Sequence, residues 1–212
     1  VLVVGLGRFG SALAAELDAL GHEVLAIDER EEVVQANAHL VSHAVTGDAT
    51  DPATLVSLGV ADMTHAVIAI GNDVEASILC TAAIADLGVT DIWAKAITEP
   101  HARILQRVGA TKVVFPERDM GIRVAHQVTG QIIDYIQIDD DFALVETRAP
   151  AADVGKTLEQ AKLRARYQVT VVSVKPDAGS FTHATAETVL RAGDLLLVIG
   201  PKDAVERFAA AT

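Results

Sequence analysis

From Val1 to about Phe115, short runs of Val, Ile, Leu and Ala alternate with longer segments in which apolar residues recur every three or four positions. Short continuous apolar runs suit strands buried on both faces, and the segments between them read as amphipathic helices. The pattern therefore predicts a parallel sheet covered on both sides. Six strands are expected, at Leu2–Val4, Val24–Ile27, His43–Thr46, Ala66–Ile70, Ile92–Ala96 and Lys112–Phe115. The first helix spaces Phe9, Leu13, Leu17 and Leu20 along one face and stops at Gly21. Asp51-Pro52 opens another helix as N-cap and first-turn proline, and Gly59 closes it. Right-handed crossovers join such units into a Rossmann-like α/β fold over residues 1–115.

After Pro116 the period lengthens. Ile122, Ala125, Ile132, Ile133 and Ile136 fall on overlapping helical faces, which predicts a long helical segment over 116–138, and the acidic turn Asp139-Asp140-Asp141 is expected to mark a domain boundary. Beyond it, residues 139–212 read as a small α+β domain. Its strands are expected at Ala143–Arg148, Val169–Lys175 and Leu195–Ile199, its helices at Leu158–Arg164 and Asp203–Ala209, and its turns at Pro176–Gly179 and Ala192–Asp194. No internal repeat and no low-complexity tract interrupts this organisation.

Half of the 212 residues are hydrophobic, enough for two cores of unequal size. No apolar stretch approaches the roughly 18 residues that cross a bilayer, so the chain reads as soluble, without direct membrane insertion. A net charge of -12 argues against nucleic acid and against docking on anionic lipid, leaving a protein as the only membrane partner to expect. The single cysteine, Cys80, lies in an apolar helical run and reads as a core residue in a reducing, cytoplasmic setting. The chain opens directly on a strand, and residues preceding Val1 are expected.

The chemistry concentrates in Gly5-Leu6-Gly7-Arg8-Phe9-Gly10, a G-x-G-x-x-G between the first strand and the first helix. Gly5 permits a tight turn, Gly7 lets backbone approach a pyrophosphate, and Gly10 lets the helix pack close to the sheet. Asp28 ends the second strand 18 residues after Gly10, where an acid accepts hydrogen bonds from ribose hydroxyls and disfavours a 2′-phosphate. Gly47-Asp48-Ala49 and Ile70-Gly71-Asn72 follow the third and fourth strands. There Asp48 suits an adenine amino group, or else Asp48 and Asn72 cap helices. Arg8 suits a polyphosphate or is a solvated side chain at a helix start; Lys95 interrupts an apolar strand and either meets an anion or snorkels to solvent.

Enzyme signatures are missing. Tyr135 and Tyr167 are followed four residues on by Asp139 and Val171, so there is no Tyr-x-x-x-Lys. No H-E-x-x-H and no G-x-S-x-G occurs, and the histidines read as surface or packing positions. A ligand-sensing rather than catalytic role is expected. The rivals are an NAD-dependent oxidoreductase, an NAD(H) redox sensor and a Rossmann-type DNA-binding regulator, and for the last of these neither terminus supplies a basic recognition helix.

These residues resemble the RCK or TrkA-type regulators of potassium transport, and most closely the single-copy Ktr-type cytosolic subunit. The likeness rests on Gly5–Gly10, Gly21–Asp28, Ala69-Ile70-Gly71, Ile92–Ala96 and Phe115–Gly121. It implies an N-terminal nucleotide-binding domain, a crossover helix that exchanges between partners and a TrkA-C-like domain, assembled as homodimers into an octameric ring beneath a membrane potassium-translocating subunit and gated by ATP versus ADP. Under the resemblance Gly5, Gly7 and Gly10 hold the phosphates, Asp28 the ribose, Asp48 the base edge and Arg8 a γ-phosphate, while Lys95 approaches the phosphates. Phe9, Glu29, Ala49, Ile70 and Gly71 complete the cofactor-binding set. Glu117 helps hold Mg²⁺, Ca²⁺ or Na⁺ at the dimer interface, and Arg164 falls where relatives bind cyclic di-AMP. The choice between ATP/ADP and NAD(H) stays open.

Overall fold

The apolar runs become strands, and the central ones are buried on both faces. The computed structural model describes residues 1–128 and 130–212, which divide into two units, Val1–Pro116 and Glu117–Thr212. Along the first unit run β1 (Leu2–Val4), α1 (Arg8–Ala19), β2 (Leu25–Asp28), α2 (Glu31–Asn37), β3 (His43–Thr46), α3 (Pro52–Ser57), β4 (His65–Ile68), α4 (Val74–Asp86), β5 (Asp91–Lys95), α5 (Glu99–Arg107) and β6 (Lys112–Val114). Among the described residues they form a six-stranded sheet in the order β3-β2-β1-β4-β5-β6, with every pairing parallel.

Strand alternation sends neighbouring residues to opposite layers. Leu2, Val4 and Ile27 join the core that also holds Ile68, Ile84, Ile92 and Leu105, whereas Val3 and Ala26 join Leu6, Ala14 and Val34 in a second core. Asp51 caps α3 by accepting from the Ala53 and Thr54 amides, with Pro52 in the first turn as expected. Leu20 departs from expectation: α1 stops at Ala19, Leu20 is its C-cap, and its side chain is exposed. Cys80 is fully buried in the first core, and burial, aided by the nearby Asp48 carboxylate, pushes its thiol up to about 12. It is a packing residue.

The segment after Pro116 corrects the expected single helix. α6 (Pro116–Val128) is followed by β7 (Ile132–Asp139), which pairs antiparallel with β8 (Phe142–Arg148). Ile132, Ile133 and Ile136 therefore lie on a strand. Register shifts near Ile132/Asp134 and Gln137/Asp139 break simple alternation, so their spacing imitates a helical period. Asp139 ends β7 and Asp140-Asp141 form the hairpin turn, which lies inside the second compact unit rather than between units. Asp134 fastens α6 to β7: Arg123 donates to it through Nε at 2.7 Å and Nη2 at 2.6 Å, Gln127 through Nε2 at 3.0 Å, and the His126 ring stacks 3.9 Å from that of Tyr135.

The rest of the second unit comprises α7 (Leu158–Ala161), α8 (Leu163–Tyr167), β9 (Thr170–Lys175), β10 (Thr182–His183), β11 (Leu195–Pro201) and α9 (Lys202–Ala209). Its described residues form a five-stranded sheet in the order β10-β9-β11-β8-β7, leaving β7 at an edge with Ile133, Ile136 and Ile138 exposed. The helix expected over Leu158–Arg164 is broken at Lys162, whose φ of 50° is left-handed. A continuous helix would set Ala161 and Leu163 on opposite sides; the break lets both enter one core. The same turn lets Arg166 reach the fully buried Asp153, whose carboxylate accepts from Arg166 Nη1 at 2.8 Å and from Lys156 Nζ at 2.9 Å.

Burial alone would raise the Asp153 pKa, but the hydrogen bonds from Lys156 and Arg166 outweigh it and hold the carboxyl below its ordinary value of 3.8. A depressed carboxyl stabilises the fold fully above the unfolded-chain value, and that contribution disappears as pH falls through the folded one. Asp153→Asn is expected to cost about 1–3 kcal/mol at pH 7 in urea denaturation, with the gap from the parent chain beginning to close near pH 4.

Candidate functional site

β1 and β4 are neighbours, but the chain goes from β1 through β2 and β3 on one side before crossing to β4. Connections leaving the carboxyl ends of β1 and β4 therefore diverge and open a crevice between them, the usual ligand position in an open α/β sheet. Gly5-Leu6-Gly7 fills the β1 side, and Ala69-Ile70-Gly71 the β4 side.

The glycines have separable causes. Gly5 has φ of 89°, and a Cβ there would stand 3.3 Å from the Ile70 amide nitrogen. A Cβ on Gly10 would stand 1.8 Å from the Gly5 carbonyl oxygen, so close packing of α1 on the loop excludes any side chain. Gly7 is different. It is the exposed N-cap of α1 with φ of -68°, open to any residue, and a Cβ would meet nothing within 4 Å. The fold itself gives no reason for glycine at that position, and the space over it is open to a group that must approach backbone closely.

Asp28 is almost wholly buried at the end of β2. Its Oδ2 accepts from the Leu6 amide at 2.8 Å, tying the glycine loop to the second strand. Its Oδ1 accepts from the Arg30 amide at 3.0 Å and from Arg30 Nε at 3.2 Å. Sequence reasoning passed over Arg30; the available signal was one cation inside the acidic run Asp28-Glu29-Arg30-Glu31-Glu32. Glu29 beside it is exposed.

Around the crevice stand the remaining residues of the set. Arg8 is exposed at the first position of α1, where a cation gains nothing from the helix dipole. Phe9 is half-buried behind it. Lys95, buried at the end of β5, brings its ammonium to the loop after β4: a Cβ on Gly71 would lie 2.7 Å from Lys95 Nζ. The helix-cap reading of Asp48 and Asn72 is corrected, since the caps are Asp51 and Asp73. Asp48 is exposed and uses Oδ1 to accept from the amide and hydroxyl of Thr50, at 2.8 and 2.7 Å. Ala49 is buried in the first core, and Ile70 is half-buried.

Glu117 and Arg164 lie in the second unit. Glu117 is exposed in the first turn of α6, and among the described residues no cluster of three or more His, Cys, Asp or Glu could hold a metal. Arg164 is exposed on α8. Of the histidines, His101 is buried, and burial lowers its pKa, which favours the neutral ring. Among the described residues no helix is long and apolar enough to cross a membrane.

Comparison with known proteins agrees with this geometry. The TrkA-N domain model matches residues 1–116 and the TrkA-C domain model residues 144–212. The chain is 35% identical to Ktr system potassium uptake protein A of Bacillus subtilis over 97% of its length and 93% of that protein's. It is 38% identical to Ktr system potassium uptake protein C of the same organism, over 97% and 94%. Against Ktr system potassium uptake protein A of Vibrio alginolyticus the identity is also 38%, over 95% and 92%. Among solved structures, the GsuK RCK domain superposes with a TM-score of 0.66 at 20% identity, over 99% of this chain and 46% of that one, a likeness of fold. With a glycine loop at the β1/β4 switch point, a second unit of TrkA-C type and relatives this similar along nearly the full length, the chain belongs to the TrkA-N/TrkA-C family that includes the Ktr system potassium uptake proteins.

Proposed function

We propose that this chain is the cytosolic nucleotide-sensing regulatory subunit of a potassium uptake system, binding an adenine nucleotide in the β1/β4 crevice and acting on a membrane-embedded potassium-translocating partner. The observation that carries the reading is Gly7, a glycine the fold does not require, facing open space at the N-terminus of α1 between Arg8 and the buried Asp28. Amides at a helix start, with cations at Arg8 and Lys95, suit phosphates, and Asp28 suits ribose hydroxyls. ATP and ADP are the proposed ligands. NAD(H) is the second reading, favoured by the same carboxylate at the ribose position.

Gating follows from differential affinity: a ligand shifts a conformational equilibrium only by binding one state more tightly than the other. In the proposed mechanism the γ-phosphate distinguishes ATP from ADP and Arg8 reads it. The ring is an octamer built from homodimers, with α6 as the crossover helix. A cation, Mg²⁺, Ca²⁺ or Na⁺, would use Glu117 together with ligands beyond this chain and neutralise phosphate charge. Arg164 supplies a cation for cyclic di-AMP at the second unit.

Calorimetric titration with ATP, ADP, NAD⁺ and NADH, with oligomer size followed by light scattering, tests the reading. ATP and ADP binding to an octamer is expected; exclusive NAD(H) binding by a small oligomer would replace it with the redox-sensor reading. Arg8→Ala should weaken ATP about tenfold more than ADP, the size of a lost charge-assisted hydrogen bond. Equal loss for both nucleotides would remove Arg8 from the γ-phosphate.

Gly7→Ala separates binding from folding. Alanine relieves glycine's unfolded-state entropy but is the poorer N-cap, so the two effects nearly cancel and the melting temperature should stay within about 3 °C of the parent. Nucleotide affinity should fall at least about tenfold if backbone approach at this position is what a phosphate needs. Gly10→Ala, by contrast, should lower the melting temperature sharply through its clash with the Gly5 carbonyl.

A further inference from the structure

We propose that Arg30 competes with the nucleotide's ribose for Asp28, so that the protein carries its own occupant of the ribose-binding carboxylate. The inference rests on the nucleotide reading above and adds a residue that reading does not use.

A carboxylate has about four acceptor positions on its two oxygens. Asp28 commits one on Oδ2 to the Leu6 amide and two on Oδ1 to the Arg30 amide and Arg30 Nε. The two backbone donors belong to the fold: one ties down the glycine loop and the other closes the turn after β2. Arg30 Nε is the only one of the three on a side chain that can leave without moving backbone. The Arg30 side chain is 53% exposed and that of Asp28 6% exposed, so the guanidinium lies on the solvent side of a carboxylate otherwise enclosed by protein. That side is the direction from which a ligand must come.

A ribose presents two adjacent hydroxyls, and an acid at this position accepts from them. With Arg30 in place one acceptor position remains; with Arg30 withdrawn there are two. Full engagement of the diol therefore displaces Nε and breaks its ion pair with Asp28. A pair whose guanidinium is half open to solvent is a modest competitor, worth about two- to fivefold in an equilibrium constant, and it weakens as salt rises. Arg30 thus sets how much of the diol's binding energy reaches the observed affinity. The competition is absent for a ligand with no diol, because nothing then asks Arg30 to leave.

The test uses the full chain and the pair ADP and 2′,3′-dideoxy-ADP, measured by calorimetry at low and high salt for the parent, Arg30→Met and Arg30→Lys. A general electrostatic effect of removing a cation bears on both ligands alike, so the readout is the ratio of their affinities. Arg30→Met should widen the preference for ADP over the dideoxy compound about two- to fivefold at low salt, with the gain shrinking at high salt. Arg30→Lys, which keeps the charge but not the planar Nε donor, should fall between Met and the parent. A ratio that is unchanged or narrowed in Arg30→Met, while the parent binds ADP, would overturn the inference and leave the nucleotide reading intact. Failure of the parent to bind any adenine nucleotide would remove both.

Discussion

The amide of Leu6 donates to the buried carboxylate of Asp28 at 2.8 Å, and the architecture of the first unit turns on that contact. It joins the loop after β1 to the end of β2, two strands that are already paired through Leu2, Val3 and Val4. Because the loop is fixed at Leu6, Gly5 can press on Ile70, Gly10 can pack against the Gly5 carbonyl, and α1 is aimed with its N-terminus at the crevice. An acid usually credited with ligand recognition is thus first a structural fastener. Replacing it would loosen the loop as well as remove an acceptor, so the two roles separate only by acting on what surrounds Asp28.

Much of the first unit was legible in the sequence because its signals are local and redundant. Most of its strands are short apolar runs, and α1, α3, α4 and α5 each have a readable cap or a glycine stop. Between β6 and β8 those signals conflicted. Ile132, Ile133 and Ile136 carry a spacing that suits a helix, and only pairing with β8, which is non-local, decides for a strand. The triple aspartate read as a boundary for a similar reason: a hairpin turn and a linker have the same composition. Lys162 was beyond reach, since its left-handed backbone serves a core assembled from distant elements. At the crevice the motif located the glycine loop and Asp28, but a motif stops at the acid and so missed Arg30.

Charge is distributed against the overall balance. The chain has 29 acidic and 17 basic residues, yet Arg8 at the start of α1, Arg30 on the loop after β2 and Lys95 at the end of β5 all stand at the carboxyl-end side of the first unit's sheet. An acidic protein repels free polyanions in general, so local cations and helix-start amides must supply the attraction where it is needed. As the first unit does with Arg30 on Asp28, the second unit closes its cations on carboxylates within the fold, Arg123 on Asp134 and both Arg166 and Lys156 on Asp153. There they hold secondary structure together.

The edge position of β7 has a practical corollary. A terminal strand with one row of backbone groups unpaired within its sheet and three isoleucines open to solvent is a template for adventitious strand addition. The carboxylates of Asp139, Asp140 and Asp141 at its far end act as electrostatic gatekeepers, repelling an approaching copy of the same turn. Their protection lasts only while they are unscreened. Concentrated salt is therefore the condition under which this unit is most exposed to aggregation, a matter of solubility rather than of folding stability.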